Sequence, residues 1–148
     1  SGRYGIVPDI VVKDGDTLTC GKVTFRFVET PGHTVGTASV FFDYTEDGRT
    51  YHAGMFGGAG RAALFEDNVD YYKGARTDYF RSLARLRSEK VDLFLGNHCW
   101  NNNTDEKAVA MEANPGTNPF IDAQEFYRFL DYCETDVKAR MKREGLTE

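Results

Sequence analysis

The chain has neither an excess of basic side chains nor a long apolar run, and each absence excludes a class of protein. Its 148 residues include 18 Lys and Arg against 23 Asp and Glu, which gives a formal charge of −5 at pH 7. Nucleic-acid-binding domains normally carry a basic patch, so we expect no nucleic-acid partner. No apolar run approaches the roughly 18 residues of a membrane-spanning helix, so we expect no membrane partner.

Cysteine is scarce, and its spacing does not suit a metal-binding pair. Cys20, Cys99 and Cys133 are the only three, and no C-x-x-C pattern occurs. An odd number of cysteines without that pattern supports neither a disulfide framework nor a zinc finger. We therefore expect three free thiols, with one disulfide and one free thiol as the alternative.

A secretory leader and the common nucleotide and protease motifs are also missing. No H-E-x-x-H occurs, and Gly57, Gly58 and Gly60 lack the strand and helix that flank a dinucleotide-binding loop. The start of the chain has no segment typical of a signal peptide. Ser1-Gly2 resembles a pair of residues left by cloning, so we expect the natural N-terminus to lie upstream.

The first third of the chain does contain the regular alternation of a β-meander. Val23, Phe25 and Phe27 alternate with Thr24 and Arg26, which is the pattern of a half-buried strand. Tight-turn residues separate this strand from other short extended segments. We predict those segments around Val11-Val12, Leu18-Thr19, Ala38 to Phe42 and Arg49 to Ala53.

Two later stretches have apolar residues at the three- and four-residue spacing of amphipathic helices. We expect the second helix to be capped by Asp122, with Glu125 three residues later completing a capping box. Between the helices, Val91 to Leu95 predicts a short buried strand, and residues 99–118 predict a loop, with a short helical turn within it as the alternative. The predicted buried positions are Tyr72, Ala75, Tyr79, Leu83 and Leu86 in the first helix, and Phe126, Leu130, Cys133, Val137 and Met141 in the second.

Three histidines carry the strongest chemical signal in the chain. His33 follows Pro31-Gly32 at the end of a predicted strand, and His98 follows another predicted strand. Functional residues are frequent in such loops, and neutral imidazole is the commonest protein ligand of metals. The residues alone leave two interpretations open, polar loop residues or metal ligands, because His33 and His98 form no spacing motif. For His52, strand periodicity favours a structural role.

The segments around two of these histidines resemble the metallo-β-lactamase superfamily. ETPGHTVG, Glu29 to Gly36, is similar to the TPGHTPG motif of that family, and DGDTLTCG, Asp14 to Gly21, is similar to its lead-in. FLGNHCW, Phe94 to Trp100, resembles the strand-end segment that carries the family's last metal histidine. SLARLRSEK, residues 82–90, and NPFID, residues 118–122, look most like the third subclass of metallo-β-lactamases.

The resemblance implies a metal role for His33 and His98. In the family, the histidine at the position of His33 binds the first of two zinc ions, and the histidine at the position of His98 binds the second. Trp100 and Asn101 are expected to line the mouth of a substrate pocket, with an ordinary turn-rich loop as the alternative reading of this segment. The resemblance assigns no further catalytic residue to this chain.

Two departures from the family pattern concern the metal ligands. The HxHxDH signature, which supplies most ligands of both metals, is absent. Met55 occupies the position where the family usually places Asp, Cys or Ser, and its soft, uncharged thioether is a poor zinc ligand. We therefore expect zinc to be weakly held or absent in this chain alone.

The fold that the resemblance implies is an α/β half-domain. Residues 1–148 would form the C-terminal half of the αββα sandwich, a mostly antiparallel sheet of about five or six strands with two long helices on one face. The other sheet face would then lack a cover. Because exposed apolar patches drive association, we predict a homodimer or higher oligomer that forms through that face.

The implied function is zinc-dependent hydrolysis by a longer parent protein. The expected substrates are small molecules such as β-lactams, lactones or similar amides and esters, attacked by zinc-activated hydroxide. The chain alone is expected to be inactive. The alternative function is a non-catalytic, degenerate or interaction module of the same fold. A secreted or periplasmic location would follow if the parent were a β-lactamase.

Overall fold

One five-stranded sheet forms the centre of the computed structural model, which describes residues 7–147. Neighbouring strands from β1 to β4 are antiparallel, and β5 is parallel to β4. β2, β4 and β5 therefore run in the same direction and end at the same edge of the sheet. The strands, in spatial order, are β1 (Thr17–Cys20), β2 (Val23–Glu29), β3 (Ala38–Glu46), β4 (Arg49–Met55) and β5 (Leu93–Phe94).

Two of the three α-helices described within residues 7–147 share a core with one face of this sheet. The helices are α1 (Ala75–Leu86), α2 (Thr104–Ala113) and α3 (Glu125–Glu144). All five predicted apolar positions of α3 are buried, as are the four predicted positions of α1 that lie within the helix. They join Val28, Phe41 and Phe94 of the sheet in one core cluster. The expected α/β architecture, a mostly antiparallel sheet with two long helices on one face, is thus confirmed.

The opposite face of the sheet carries a second set of apolar side chains. Val28 and Phe41 belong to the core under the helices, and side chains alternate between the faces of a strand. Phe25 and Phe42 therefore lie on the other side, where their rings meet edge to face at 5.1 Å. Strand pairing places Phe27, Val40 and Met55 on that side too. We call this surface, formed by Phe25, Phe27, Val40, Phe42 and Met55, the open face.

Three expectations about the elements are wrong, each for a local reason. Val11-Val12 is not in a strand, because the pairing of β1 with β2 begins only at Thr17. The predicted strand Val91 to Leu95 is reduced to Leu93–Phe94. The predicted loop 99–118 contains α2, which buries none of its residues and so has no apolar stripe to reveal it.

The predicted start of α3 is also corrected. Asp122 accepts a hydrogen bond from the Gln124 backbone N–H, as a capping side chain would, but the helix begins at Glu125. The Glu125 carboxylate does not reach back to Asp122 and instead pairs with Lys107 of α2, both side chains being largely buried. A tertiary ion pair has thus replaced the local capping box. Ser1-Gly2 lies outside the described residues.

No helix within residues 7–147 is long and apolar enough to cross a membrane.

Cys20, Cys99 and Cys133 are all free thiols, as expected, and of the three only Cys133 is buried.

Candidate functional site

The loops that follow β2, β4 and β5 meet at one edge of the sheet, because these three strands end there. The middle loop, after β4, contacts both of the others. Its Gly60 carbonyl oxygen lies 2.9 Å from His33 Nδ1, and its Gly57 carbonyl accepts a hydrogen bond of 3.2 Å from Asn97 Nδ2. We call the three loops together the loop edge. It brings the His33 and His98 segments, 65 residues apart in sequence, onto one side of the molecule.

The loop that carries His33 is closed by backbone bonds and anchored to α1. The Thr30 N–H donates to the Thr37 carbonyl at 2.9 Å, and the buried Ser82 hydroxyl of α1 donates to the Pro31 carbonyl at 2.8 Å. Gly32 has a φ of 139°, and a Cβ there would lie 2.8 Å from Tyr79 Cα. Only glycine satisfies both constraints, so the loop is held against α1.

The His33 ring is presented in a defined tautomer. A carbonyl oxygen only accepts hydrogen bonds, so the contact with Gly60 assigns the ring proton to Nδ1. Nε2 then keeps its lone pair. Metal-binding histidines usually donate their second ring nitrogen to a carbonyl or carboxylate in this way. The half-buried His33 therefore has the chemistry of a metal ligand.

His98 is exposed and is held by its own short segment. It immediately precedes a single 3₁₀ turn, Cys99–Asn101. The His98 backbone N–H donates to Asn101 Oδ1 at 3.1 Å, and the Asn101 N–H donates to the His98 carbonyl at 2.9 Å. The imidazole stacks on Trp100, with centroids 4.3 Å apart and planes inclined by 8°. The orientation of this ring is thus set by an aromatic neighbour.

A cleft of about 610 Å³ lies beside His98. Both residues expected at a pocket mouth, Trp100 and Asn101, line it, and Trp100 is 70% exposed. No motif predicted the other wall of the cleft, which includes Arg61 and Tyr132. Those two residues lie 71 positions apart, so no local spacing could reveal the wall they share.

The guanidinium of Arg61, in this wall, contacts three other side chains. Arg61 Nε donates to Asp136 Oδ2 at 2.5 Å, and its guanidinium lies 4.8 Å above the Tyr132 ring. Its Nη1 is also 3.6 Å from Cys133 Sγ. Burial raises the pKa of the Cys133 thiol, so the sulfur stays protonated at neutral pH.

His52 lies within β4, and Met55 is the last residue of that strand. His52 Nδ1 is 2.7 Å from Asp43 Oδ1, and its backbone N–H donates to Asp92 Oδ2. These contacts agree with a structural role. Met55 pairs with Val40 on the open face. Neither side chain joins His33 or His98.

The described residues do not complete a metal site by themselves. Among residues 7–147, no group of three or more His, Cys, Asp or Glu side chains is placed to hold a metal ion. Zinc sites in proteins use three or four protein ligands. Imidazole nitrogens such as those of His33 and His98 suit zinc, but two ligands are fewer than a zinc site needs.

Comparison with known proteins reveals the family to which this arrangement is related. No family model matches the chain. The chain superimposes on BJP-1, a subclass B3 metallo-β-lactamase of Bradyrhizobium japonicum, with a TM-score of 0.83 and 25% identity, covering 95% of this chain and 53% of BJP-1. For native FEZ-1, a metallo-β-lactamase from Legionella gormanii, the TM-score is 0.79 and the identity 26%, over 90% and 51% of the two chains.

A sequence relative has the same kind of partial match. The hydroxyacylglutathione hydrolase of Methylococcus capsulatus is 30% identical over 80 residues, which cover 54% of this chain and 28% of that enzyme. Fold and sequence together identify the chain as a relative of the metallo-β-lactamase superfamily. It spans about half the length of the solved members it matches. Those members are metallo-β-lactamases, and BJP-1 is of subclass B3.

Proposed function

We propose that this chain is the C-terminal half of a zinc-dependent hydrolase, in which His33 and His98 each supply one metal ligand. The observation that carries the proposal is the loop edge, where His33 presents a free Nε2 and the His98 segment is tied to the same middle loop. Zinc would supply Lewis acidity and a more acidic bound water. The chain's own contribution is to hold two imidazoles in fixed orientations. Replacing His33 by alanine in the parent protein tests this through bound zinc and hydrolysis.

The substrate class we propose is a β-lactam, a lactone or a similar small amide or ester. The names of the relatives, metallo-β-lactamases and a hydroxyacylglutathione hydrolase, support hydrolysis of this kind. Trp100 and Asn101 would contact the substrate, since both line the cleft beside His98. We propose neither a nucleic-acid partner nor a membrane partner.

Zinc content of the chain alone gives a quantitative expectation. Most of the affinity of a zinc site comes from several converging ligands, and two histidines are too few. The purified chain should therefore retain well below one zinc per molecule after exhaustive dialysis, as measured by elemental analysis. Stoichiometric zinc that disappears in His98→Ala would contradict the expectation and show that the chain assembles a site by itself.

A non-catalytic interaction module is the second candidate function. The incomplete ligand set of residues 7–147 favours it. The gene of the parent protein discriminates between the two functions. An HxHxDH segment upstream, within roughly one further half-domain, supports the hydrolase. Its absence supports the interaction module.

We also propose that the chain alone forms a homodimer through the open face. Phe25, Phe27 and Phe42 are partly accessible there, and none belongs to the core cluster under the helices. Contiguous apolar surfaces of this kind normally mark an interaction site. A two-fold pairing of open faces would bury the same residues in both copies.

The expected result is a dimer by light scattering at micromolar concentration that Phe25→Lys converts to a monomer. The lysine would bring an unpaired charge into the interface, at a large desolvation cost. Val69→Lys is the matched control, because Val69 is 90% exposed in a loop away from the sheet, and it should leave the dimer intact. A monomeric unsubstituted chain over the whole concentration range would refute the pairing.

A further inference from the structure

A buried hydroxyl on β3 links the loop that carries His33 to the loop that follows β4. Ser39 is fully buried and lies opposite Val28 in the pairing of β2 with β3. Its Oγ is 2.8 Å from the Thr30 Oγ1 and 3.3 Å from the Gly57 nitrogen. Thr30 begins the loop that carries His33, whereas Gly57 belongs to the loop after β4. One side chain therefore joins two of the three loops of the loop edge.

The link continues into the third loop. The Gly57 carbonyl accepts the hydrogen bond from Asn97 Nδ2, and Asn97 is the residue before His98. The polar path thus runs from Thr30 through Ser39 and Gly57 to Asn97. The Gly57 peptide also lies directly against β3, because a Cβ at this residue would come within 2.0 Å of the Ala38 carbonyl oxygen.

The Ser39 hydroxyl has a hydrogen-bond partner on each side. The Gly57 N–H can only donate, so Ser39 Oγ accepts from it. In the contact with Thr30 Oγ1, either hydroxyl can be the donor. A buried hydroxyl with two such partners stiffens the groups it joins, since chains of hydrogen bonds reinforce one another.

We propose that Ser39 is a positioning residue that sets the placement of the His33 loop relative to the His98 loop. The inference rests on the proposed function, in which each of these two histidines supplies one metal ligand. Ser39 itself touches neither histidine and acts through Thr30 on one side and through Gly57 and Asn97 on the other.

The histidines themselves provide the first readout, in the chain alone and without metal. Only His33, His52 and His98 exist, so imidazole NMR signals report on each separately, and His52 is an internal reference. Ser39→Ala should shift or broaden the signals of both His33 and His98 and leave those of His52 in place. Ser82→Ala is the matched control, because within residues 7–147 this similarly buried serine bonds the Pro31 carbonyl and neither of the other two loops. It should disturb His33 alone.

Metal affinity in the parent protein provides the second readout, by competition of a chelator for Zn²⁺. Ser39→Ala should weaken affinity by up to about 10-fold, the low end of the loss caused by outer-shell partners of a metal site, because Ser39 acts on the ligands only through other residues. Unchanged affinity, together with unmoved signals of His33 and His98, would overturn the positioning role. If His33→Ala in the same protein also retains its zinc, the proposed function fails instead, so the two failures are distinguishable.

Asn97→Ala provides a test that does not depend on the folding of the Ser39 variant, because Asn97 is exposed. Loss of its bond to Gly57 should move the His33 signals as well as those of His98. If Asn97→Ala changes only His98, the path does not transmit position between the loops and the proposal is wrong.

Discussion

His33→Ala in the parent protein is expected to remove most of the zinc and to lower hydrolysis by at least roughly 100-fold, since even outer-shell partners of a metal cost 10- to 100-fold. The substitution deletes Nε2, the nitrogen whose lone pair is left free by the bond of Nδ1 to Gly60. The alanine side chain offers no donor atom in its place. Elemental analysis after dialysis and turnover of a chromogenic β-lactam or lactone measure the two effects.

His52→Ala is the control for this substitution. It removes the same type of side chain from the same sheet, but His52 lies within β4 and its ring contacts Asp43. The variant should therefore keep both its zinc and its turnover. Full zinc content and unchanged turnover in His33→Ala would instead contradict the assignment of His33 as a ligand.

Phe126→Ala is expected to lower the free energy of unfolding of the chain by about 3–5 kcal/mol, the usual cost of truncating a buried aromatic ring. Phe126 is fully buried at the start of α3. Its ring meets Phe94 of β5 at 5.4 Å and Phe41 of β3 at 6.3 Å between centroids. Without this ring, a cavity would remain between the longest helix and two strands. Urea unfolding followed by circular dichroism measures the change.

Tyr132→Ala on the same helix gives the comparison. The Tyr132 side chain is 56% exposed and its main contact is with the Arg61 guanidinium. Its removal should cost about 1 kcal/mol or less, the value of an exposed cation–π contact. A smaller loss for Phe126→Ala than for Tyr132→Ala would mean that α3 is not held by the core described above.

The parts of the fold that were predictable from sequence are those with a strong local pattern. The stripe of α3 repeats at helical spacing, and every predicted position in it is buried. α2 has no such stripe, because it meets the rest of the molecule mainly through polar contacts such as Lys107 with Glu125. The predicted capping box does not form, because the Glu125 carboxylate pairs with Lys107 instead.

The candidate site was predictable only where a motif marked it. His33 and His98 stand in segments that resemble a known family, and the structure places both segments on the loop edge. Arg61 with Asp136, and Ser39 with Gly57, are contacts between residues far apart in the chain. Nothing in the neighbouring sequence distinguishes a serine that joins two loops from any other serine in a strand.

Because Trp100 stacks on His98, tryptophan fluorescence reports on the surroundings of the His98 ring. Trp100 is the only tryptophan in the chain, so indole emission excited beyond the tyrosine absorption band comes from this residue alone. Its ring lies 4.3 Å from the imidazole of His98, well within contact. Events at that imidazole, such as protonation, ligation or displacement of the segment, can therefore be followed spectroscopically without attaching a dye. Each histidine variant can be read with the same intrinsic signal.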